Sequence, residues 1–119
     1  MDIFGPVLRG LREALSLHEA RHRVIAENLA NVETPGYRAR DIDFADALRR
    51  AFDEGEAGDE VRIPEPTEDH NARVKADGNS VDVDLETARL ADNAFRIVAL
   101  SRIVARKYAG IKQMLTEMR

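Results

Sequence analysis

His18, Glu19, Ala20, Arg21 and His22 spell the pattern H-E-x-x-H, in which two histidines one helical turn apart bind zinc while the glutamate activates a water. A catalytic zinc also needs a third protein ligand and an open fourth position in a shaped cleft. The extended form of the motif fails here, because Ile25 and Asn28 stand where its glycine and third histidine would be. The remaining histidine, His70, lies beside an acidic stretch, and no strand-rich half is present to hold a substrate. Both histidines of the pair also fall on an apolar seam, where they would face a partner helix instead of solvent. There is no cysteine for thiolate ligation, thiol catalysis or disulfides, no phosphate-cradling glycine loop and no serine beside a recognisable base. The expectation is a protein that is not an enzyme, with no catalytic, cofactor or metal site.

The elements that position those histidines read as helices. In the first arm Phe4, Leu8, Leu11, Leu15, His18, His22, Ile25, Leu29 and Val32 alternate at four and three residues. A mean spacing of about 3.5 keeps one stripe toward a partner helix and favours left-handed supercoiling. Gly5 and Pro6 suit the helix start, and the stretch Asn31 to Pro35 ends it, since Thr34, the residue before proline, is pushed out of the helical region. Pro35 and Gly36 then fit the two central positions of a type II turn. A short helix is expected next, capped by Asp43, with Phe44, Leu48 and Phe52 along one face.

The second arm follows the turn signal Asp77-Gly78-Asn79 and the alternating stretch Val81 to Asp84. Asp82 or Asp84 can cap it. Leu90, Ala94, Ile97, Ser101, Val104, Tyr108, Ile111, Leu115 and Met118 repeat the four-three alternation. A helix from Leu85 to Met118 would be about 51 Å long. Phe95, Val98, Leu100 and Ile103 widen the seam beyond what one partner helix would cover. Gly110 either permits close approach of another backbone or is simply tolerated.

The 119 residues amount to one domain, with 44% apolar residues but only four Phe, two Tyr and no Trp, so bulky core side chains are scarce. Eighteen Lys plus Arg against twenty-two Asp plus Glu leave a net charge of -4, which offers no general field for nucleic acid or anionic membrane. The charge is uneven. Eight acids and one base between Asp53 and Asp69 give that segment -7, leaving seventeen bases against fourteen acids, or +3, elsewhere. With Gly55, Gly58, Pro64 and Pro66, the acidic segment reads as an extended connector. The longest apolar run, Ile97 to Leu100, is far short of the ~20 residues that span a bilayer. The N-terminus lacks the pattern of a cleaved signal peptide. Arg49, Arg50, Arg102, Arg106 and Lys107 read as solvated helix faces.

The run Asn28-Leu-Ala-Asn31-Val-Glu-Thr34-Pro35-Gly36-Tyr37-Arg38 resembles the N-terminal signature of bacterial flagellar axial proteins, the rod, hook and hook-associated group. Asp41-Ile-Asp43-Phe44, the run Asp77 to Glu86, and Ala91-Asp92-Asn93 are similar to the type B family of proximal rod proteins. The resemblance implies an all-α fold in which long N- and C-terminal helices form a coiled-coil-like hairpin. The expected division is a first helix over 1–33, a turn, short helix and acidic connector over 34–84, and a last helix over 85–119. It further implies a structural subunit of the proximal rod that links the membrane ring to the distal rod and hook and transmits torque. Its partners would be other rod proteins, the ring-to-rod adaptor, the membrane-ring protein and copies of itself. Such a subunit would sit in the periplasmic part of the flagellar basal body, exported by the flagellar type III apparatus without a cleaved signal peptide. Asn28, Asn31, Thr34, Pro35, Gly36, Tyr37, Phe44, Asn93 and Tyr108 are then the expected assembly and interface positions, although the helix end and turn alone account for Asn31, Pro35 and Gly36. A free-standing helical-hairpin adaptor, and more remotely a zinc hydrolase built on His18 and His22, are the readings from other classes.

Overall fold

The computed structural model describes residues 5–53 and 62–118. The seam residue Phe4 and residues 54–61 of the acidic connector lie outside them. Three helices dominate, α1 (Gly5–Ala30), α2 (Phe44–Asp53) and α3 (Val83–Glu117), together with two short strands, β1 (Arg40–Asp41) and β2 (Thr67–Glu68). The strands pair antiparallel, Arg40 opposite Glu68 and Asp41 opposite Thr67. The molecule measures 67 × 24 × 16 Å. That rod-like outline follows from α1 and α3 lying side by side as an antiparallel hairpin, with α2 and β1 packed against α1.

α1 stops at Ala30, short of the expected boundary at residue 33. The Asn31 amide Nδ2 donates to the Glu27 carbonyl at 2.8 Å, and the chain tightens as Asn31 and Val32 turn their N–H groups to the carbonyls of Asn28 and Leu29. Side chains of Asn compete in this way with the helix ladder and favour its ends. The turn that follows has the expected chemistry. The Tyr37 N–H donates to the Thr34 carbonyl at 3.2 Å, and Gly36 has φ 78°, a left-handed conformation that a Cβ would strain.

α3 begins two residues before the expected Leu85. Asp82 is its N-cap, accepting the N–H groups of Asp84 and Leu85 at 3.0 and 3.2 Å, which satisfies two of the four free donors at the helix start. Val83 is therefore helical and exposed, while Val81 is buried.

Helix α1 buries two stripes. The seam toward α3 holds Leu8, His18 and Ile25 fully buried, with Leu11, Leu15, His22 and Leu29 partly so. A second stripe, Gly10, Ala14, Leu17, Val24 and Asn28, faces α2 and the segment around β1. There Leu17 packs with Ala47 and Ala51, and Ala20 and Val24 pack with Ile42, Phe44 touching both clusters. Small residues let α2 come close. A Cβ on Gly10 would stand 2.5 Å from the Phe52 ring, below any van der Waals distance.

On α3 the inner stripe is displaced from the expected one. Ala94 and Ser101 are exposed, and their neighbours Asn93 and Leu100 point inward with Leu90, Ile97 and Val104. Both readings satisfy a four-three alternation; a polar side chain with a buried partner decides between them. Gly110 meets nothing within 4 Å, so it serves no close approach within the chain.

Candidate functional site

Three hydrogen-bonded knots hold the hairpin, its bend and the segment between them, and the residues singled out from the sequence are distributed among these knots.

The first joins the middle of α1 to α3. Asn93 lies 75 positions from His18; its Oδ1 is 2.8 Å from His18 Nδ1, its Nδ2 donates to the His18 carbonyl at 2.8 Å, and the same Nδ2 is 3.3 Å from His22 Nδ1. The arrangement requires a proton on His18 Nδ1 and a lone pair on His22 Nδ1, and it uses both donors of the amide and its acceptor oxygen. His18 is buried and stacks obliquely on Phe44, with ring centroids 4.4 Å apart. The two histidines of the H-E-x-x-H pattern thus share one asparagine across the seam. Glu19 points to solvent, and among the described residues no three His, Cys, Asp or Glu converge. Replacing Asn93 by Leu is expected to cost about 2–3 kcal/mol, because His18 and its neighbours keep buried polar atoms without partners; urea unfolding followed by circular dichroism measures it, and an unchanged midpoint would refute the clasp.

The second knot is at the C-terminal end of α1, where the chain bends. Asn28 is 1% exposed. Its Oδ1 accepts the Tyr37 hydroxyl at 3.1 Å and the Arg40 N–H at 3.0 Å, and its Nδ2 donates to the Arg40 carbonyl at 2.8 Å and to Glu86 Oε2 at 3.3 Å. One side chain therefore ties α1, the turn, β1 and α3. The buried carboxylate of Glu86 is compensated by Arg89, whose Nη1 lies 3.2 Å from its Oε1, as a charge removed from water requires. Beside it, Arg21 grips Asp41 with two hydrogen bonds at 3.2 and 3.0 Å while lying over the Phe44 ring, a fork geometry suited to guanidinium and carboxylate.

The third knot locks the two turn motifs together. Asn79 is fully buried; its Nδ2 donates to the carbonyls of Asn31 and Thr34 at 2.9 and 2.8 Å, and its Oδ1 accepts the Val81 N–H at 2.7 Å. The Gly36 N–H reaches the Asp77 carbonyl, and the Ser80 N–H the Tyr37 carbonyl, both at 3.0 Å. The turns touch back to back: Gly78 has φ 84°, and a Cβ on it would lie 3.3 Å from Gly36 Cα. Ser80 completes the lock by accepting the Ala39 N–H on its hydroxyl at 2.8 Å.

The expected assembly positions differ in their surroundings. Asn28 and Asn93 are buried within the chain, and Phe44 is packed between the two apolar clusters. The amides of Asn28 and Asn93 are engaged internally, as buried polar groups are. Asn31 caps the helix end and accepts the Thr34 hydroxyl on its Oδ1 at 3.1 Å. Thr34, Pro35 and Gly36 remain exposed at the tip, Tyr37 is half-buried through its bond to Asn28, and Tyr108 is half-buried on the inner stripe of α3. Asn79, Ser80, Glu86 and Gly10 carry roles that the residue pattern does not announce; the D-G-N-S run marks a turn, but nothing in it says what the turn docks against.

The exposed apolar residues of α3 are the remaining feature. Phe95 is 74% exposed, and Val98, Ile103, Met114, Leu115 and Met118 are also exposed. Counting from the Asn28–Glu86 contact, α3 has eight more residues to run than α1 has to Gly5, so it extends about 12 Å past that point. Among the described residues no helix is long and apolar enough to cross a membrane.

Comparison with known proteins agrees with the motif that the knots surround. A family model described as flagella basal body rod protein matches residues 8–38, the stretch from the start of the seam through the turn. A flagellar basal body rod protein FlgB of Escherichia coli (strain K12) is 37% identical over 114 aligned residues, covering 81% of this chain and 83% of the relative. The FlgB proteins of Salmonella typhimurium and Bacillus subtilis (strain 168) are 32% and 31% identical, with 97% and 98% of this chain and 96% and 98% of the relatives covered.

Proposed function

The chain belongs to the FlgB family of flagellar basal body rod proteins, and from that we propose that it is a structural subunit of the proximal rod, joining the membrane ring to the distal rod and hook and passing torque between them. The observation that carries this reading is the uncovered apolar face of α3. A single helix partner covers Leu90, Ile97, Leu100 and Val104 and leaves Phe95, Val98, Met114 and Leu115 in water. Large apolar side chains left exposed along one helix of a small protein are consistent with an association surface. The remaining cost of exposure, about 25 cal/mol per Å², is removed only when other subunits cover it.

The knots explain how such a subunit would bear load. Ion pairs and amides clasp the hairpin internally, so the bend keeps its shape while the outer face changes partners. The partners proposed are copies of the chain, other rod proteins, the ring-to-rod adaptor and the membrane-ring protein. The place of work is the periplasmic part of the basal body, reached through the flagellar type III apparatus without a cleaved signal. The role is architectural and not catalytic. A free-standing hairpin adaptor would show the same exposed face, and imaging of basal bodies after deletion of the gene separates the two: loss of the rod is expected, and an intact rod would overturn the proposal.

A point substitution gives a finer test. Gly36→Val places a β-branched residue at φ 78°, at a cost of about 1–3 kcal/mol, and puts a bulky side chain at the exposed tip. Expression should persist while rod assembly and swimming fail. A fully motile strain would count against the tip as an assembly determinant.

A further inference from the structure

Between Asp92 and Glu117, α3 carries five bases, Arg96, Arg102, Arg106, Lys107 and Lys112, and no acid. Arg96 is paired with Asp92 at 2.9 Å, whereas among the described residues Arg102, Arg106, Lys107 and Lys112 make no ion pair. Between these cations lies a shallow apolar groove lined by Ile103, Gly110, Ile111 and Met114, with Arg106 and Lys107 beside it. At about 3.6 residues per turn, Arg106 and Lys107 fall on opposite sides of the line from Ile103 to Gly110. The open space above Gly110 would let a second backbone come close.

The charge identifies what kind of helix fits. The same stretch of a second copy brings the same unpaired cations, so like on like would set bases against bases, which costs free energy and selects against that pairing. An apolar stripe alone would leave Arg106 and Lys107 against uncharged surface. Acidic side chains on both flanks would pair with them. We propose that the Ile103 to Met114 stretch of α3 docks an amphipathic helix of an unlike protein, one whose apolar stripe is bordered by Glu or Asp. This deepens the assembly reading and rests on it for the presence of such a partner.

The experiment uses the full chain and three labelled synthetic helical peptides with one shared Leu/Ala stripe, flanked by Glu, by Gln or by Lys, with binding read by fluorescence anisotropy. The Glu peptide should bind roughly tenfold more tightly than the Gln peptide at low ionic strength, the Lys peptide should be weakest, and the difference should shrink as salt rises. The double substitution R106E with K107E, at exposed positions and checked for retained helix by circular dichroism, should reverse the order. Equal affinity for the three peptides, no binding by any, or preference for the Gln peptide would each overturn the proposal, and these outcomes need no variant. A failure here leaves the rod assignment standing, because that is decided by imaging basal bodies and not by peptide binding.

Discussion

Replacing Asn28 by Leu should lower the stability of the free chain by about 3–5 kcal/mol, the largest effect expected of any single substitution in it. Leucine keeps the branching of the side chain but puts bulkier methyl groups in place of the amide, so the lost hydrogen bonds and overpacking both contribute. The Arg40 N–H, the Tyr37 hydroxyl and Glu86 Oε2 all lose their partner on Asn28, and the site is too buried for water to replace it. The effect should be seen as a drop of roughly 10–20 °C in the thermal midpoint. Tyr37→Phe is the control. It removes one of the four bonds and should cost about 1 kcal/mol. If the two substitutions prove equal, Asn28 is acting through its bond to Tyr37 alone, and the picture of one side chain tying four segments is wrong.

Asn79→Asp should cost about 3 kcal/mol or more although it changes one atom. The acceptor that holds the Val81 N–H survives, but the donor that reaches the Asn31 and Thr34 carbonyls becomes a carboxylate oxygen facing two other oxygens. The pH dependence has a definite sign. Burial and the two carbonyls would hold the new carboxyl's folded pKa above its unfolded value of about 4. The folded state then binds the proton more tightly than the unfolded one, so the defect is full above the folded pKa and shrinks as pH falls through it. Urea midpoints of variant and parent at pH 4.5 and pH 7.5 measure this. A defect that grows at the lower pH would mean that the Asn79 amide does not clasp the turn as described.

Both positions show what kind of information was missing from the residue pattern. The helices were legible because they rest on local rules: apolar spacing, a proline and glycine at the bend, an aspartate at the start of α3. Their boundaries moved by two or three residues where a side chain bonded the backbone beside it, Asn31 at the end of α1 and Asp82 at the start of α3. The seam of α3 was displaced for a related reason. Ala94 is the more apolar choice, but Asn93 can bond His18 on a neighbouring helix, and hydrophobicity along the sequence contains no record of that. The second buried stripe of α1 escaped because Gly10 and Ala14 are small; their burial reflects the approach of α2 and not their own surface. The exposed apolar residues beside the α3 seam, Phe95, Val98 and Ile103, were anticipated from the excess of large side chains over what one helix could cover.

The H-E-x-x-H pattern shows the same division most plainly. By spacing alone His18 and His22 could hold a metal, and the seam reading rested only on their falling in register with the leucines. The tertiary structure places both on Asn93, a residue more than seventy positions away, and that contact decides what the pair is for.

By itself the amino-acid order determined the two long helices, the bend between them, the uneven charge and the excess of apolar surface, since each follows from steric preference, periodicity or composition within a few turns of chain. Only the tertiary structure decided which polar side chains are structural. Asn28, Asn79, Glu86 and Asn93 are ordinary surface residue types until folding removes them from water, and then the need to satisfy every buried donor and acceptor makes them the fasteners of the hairpin.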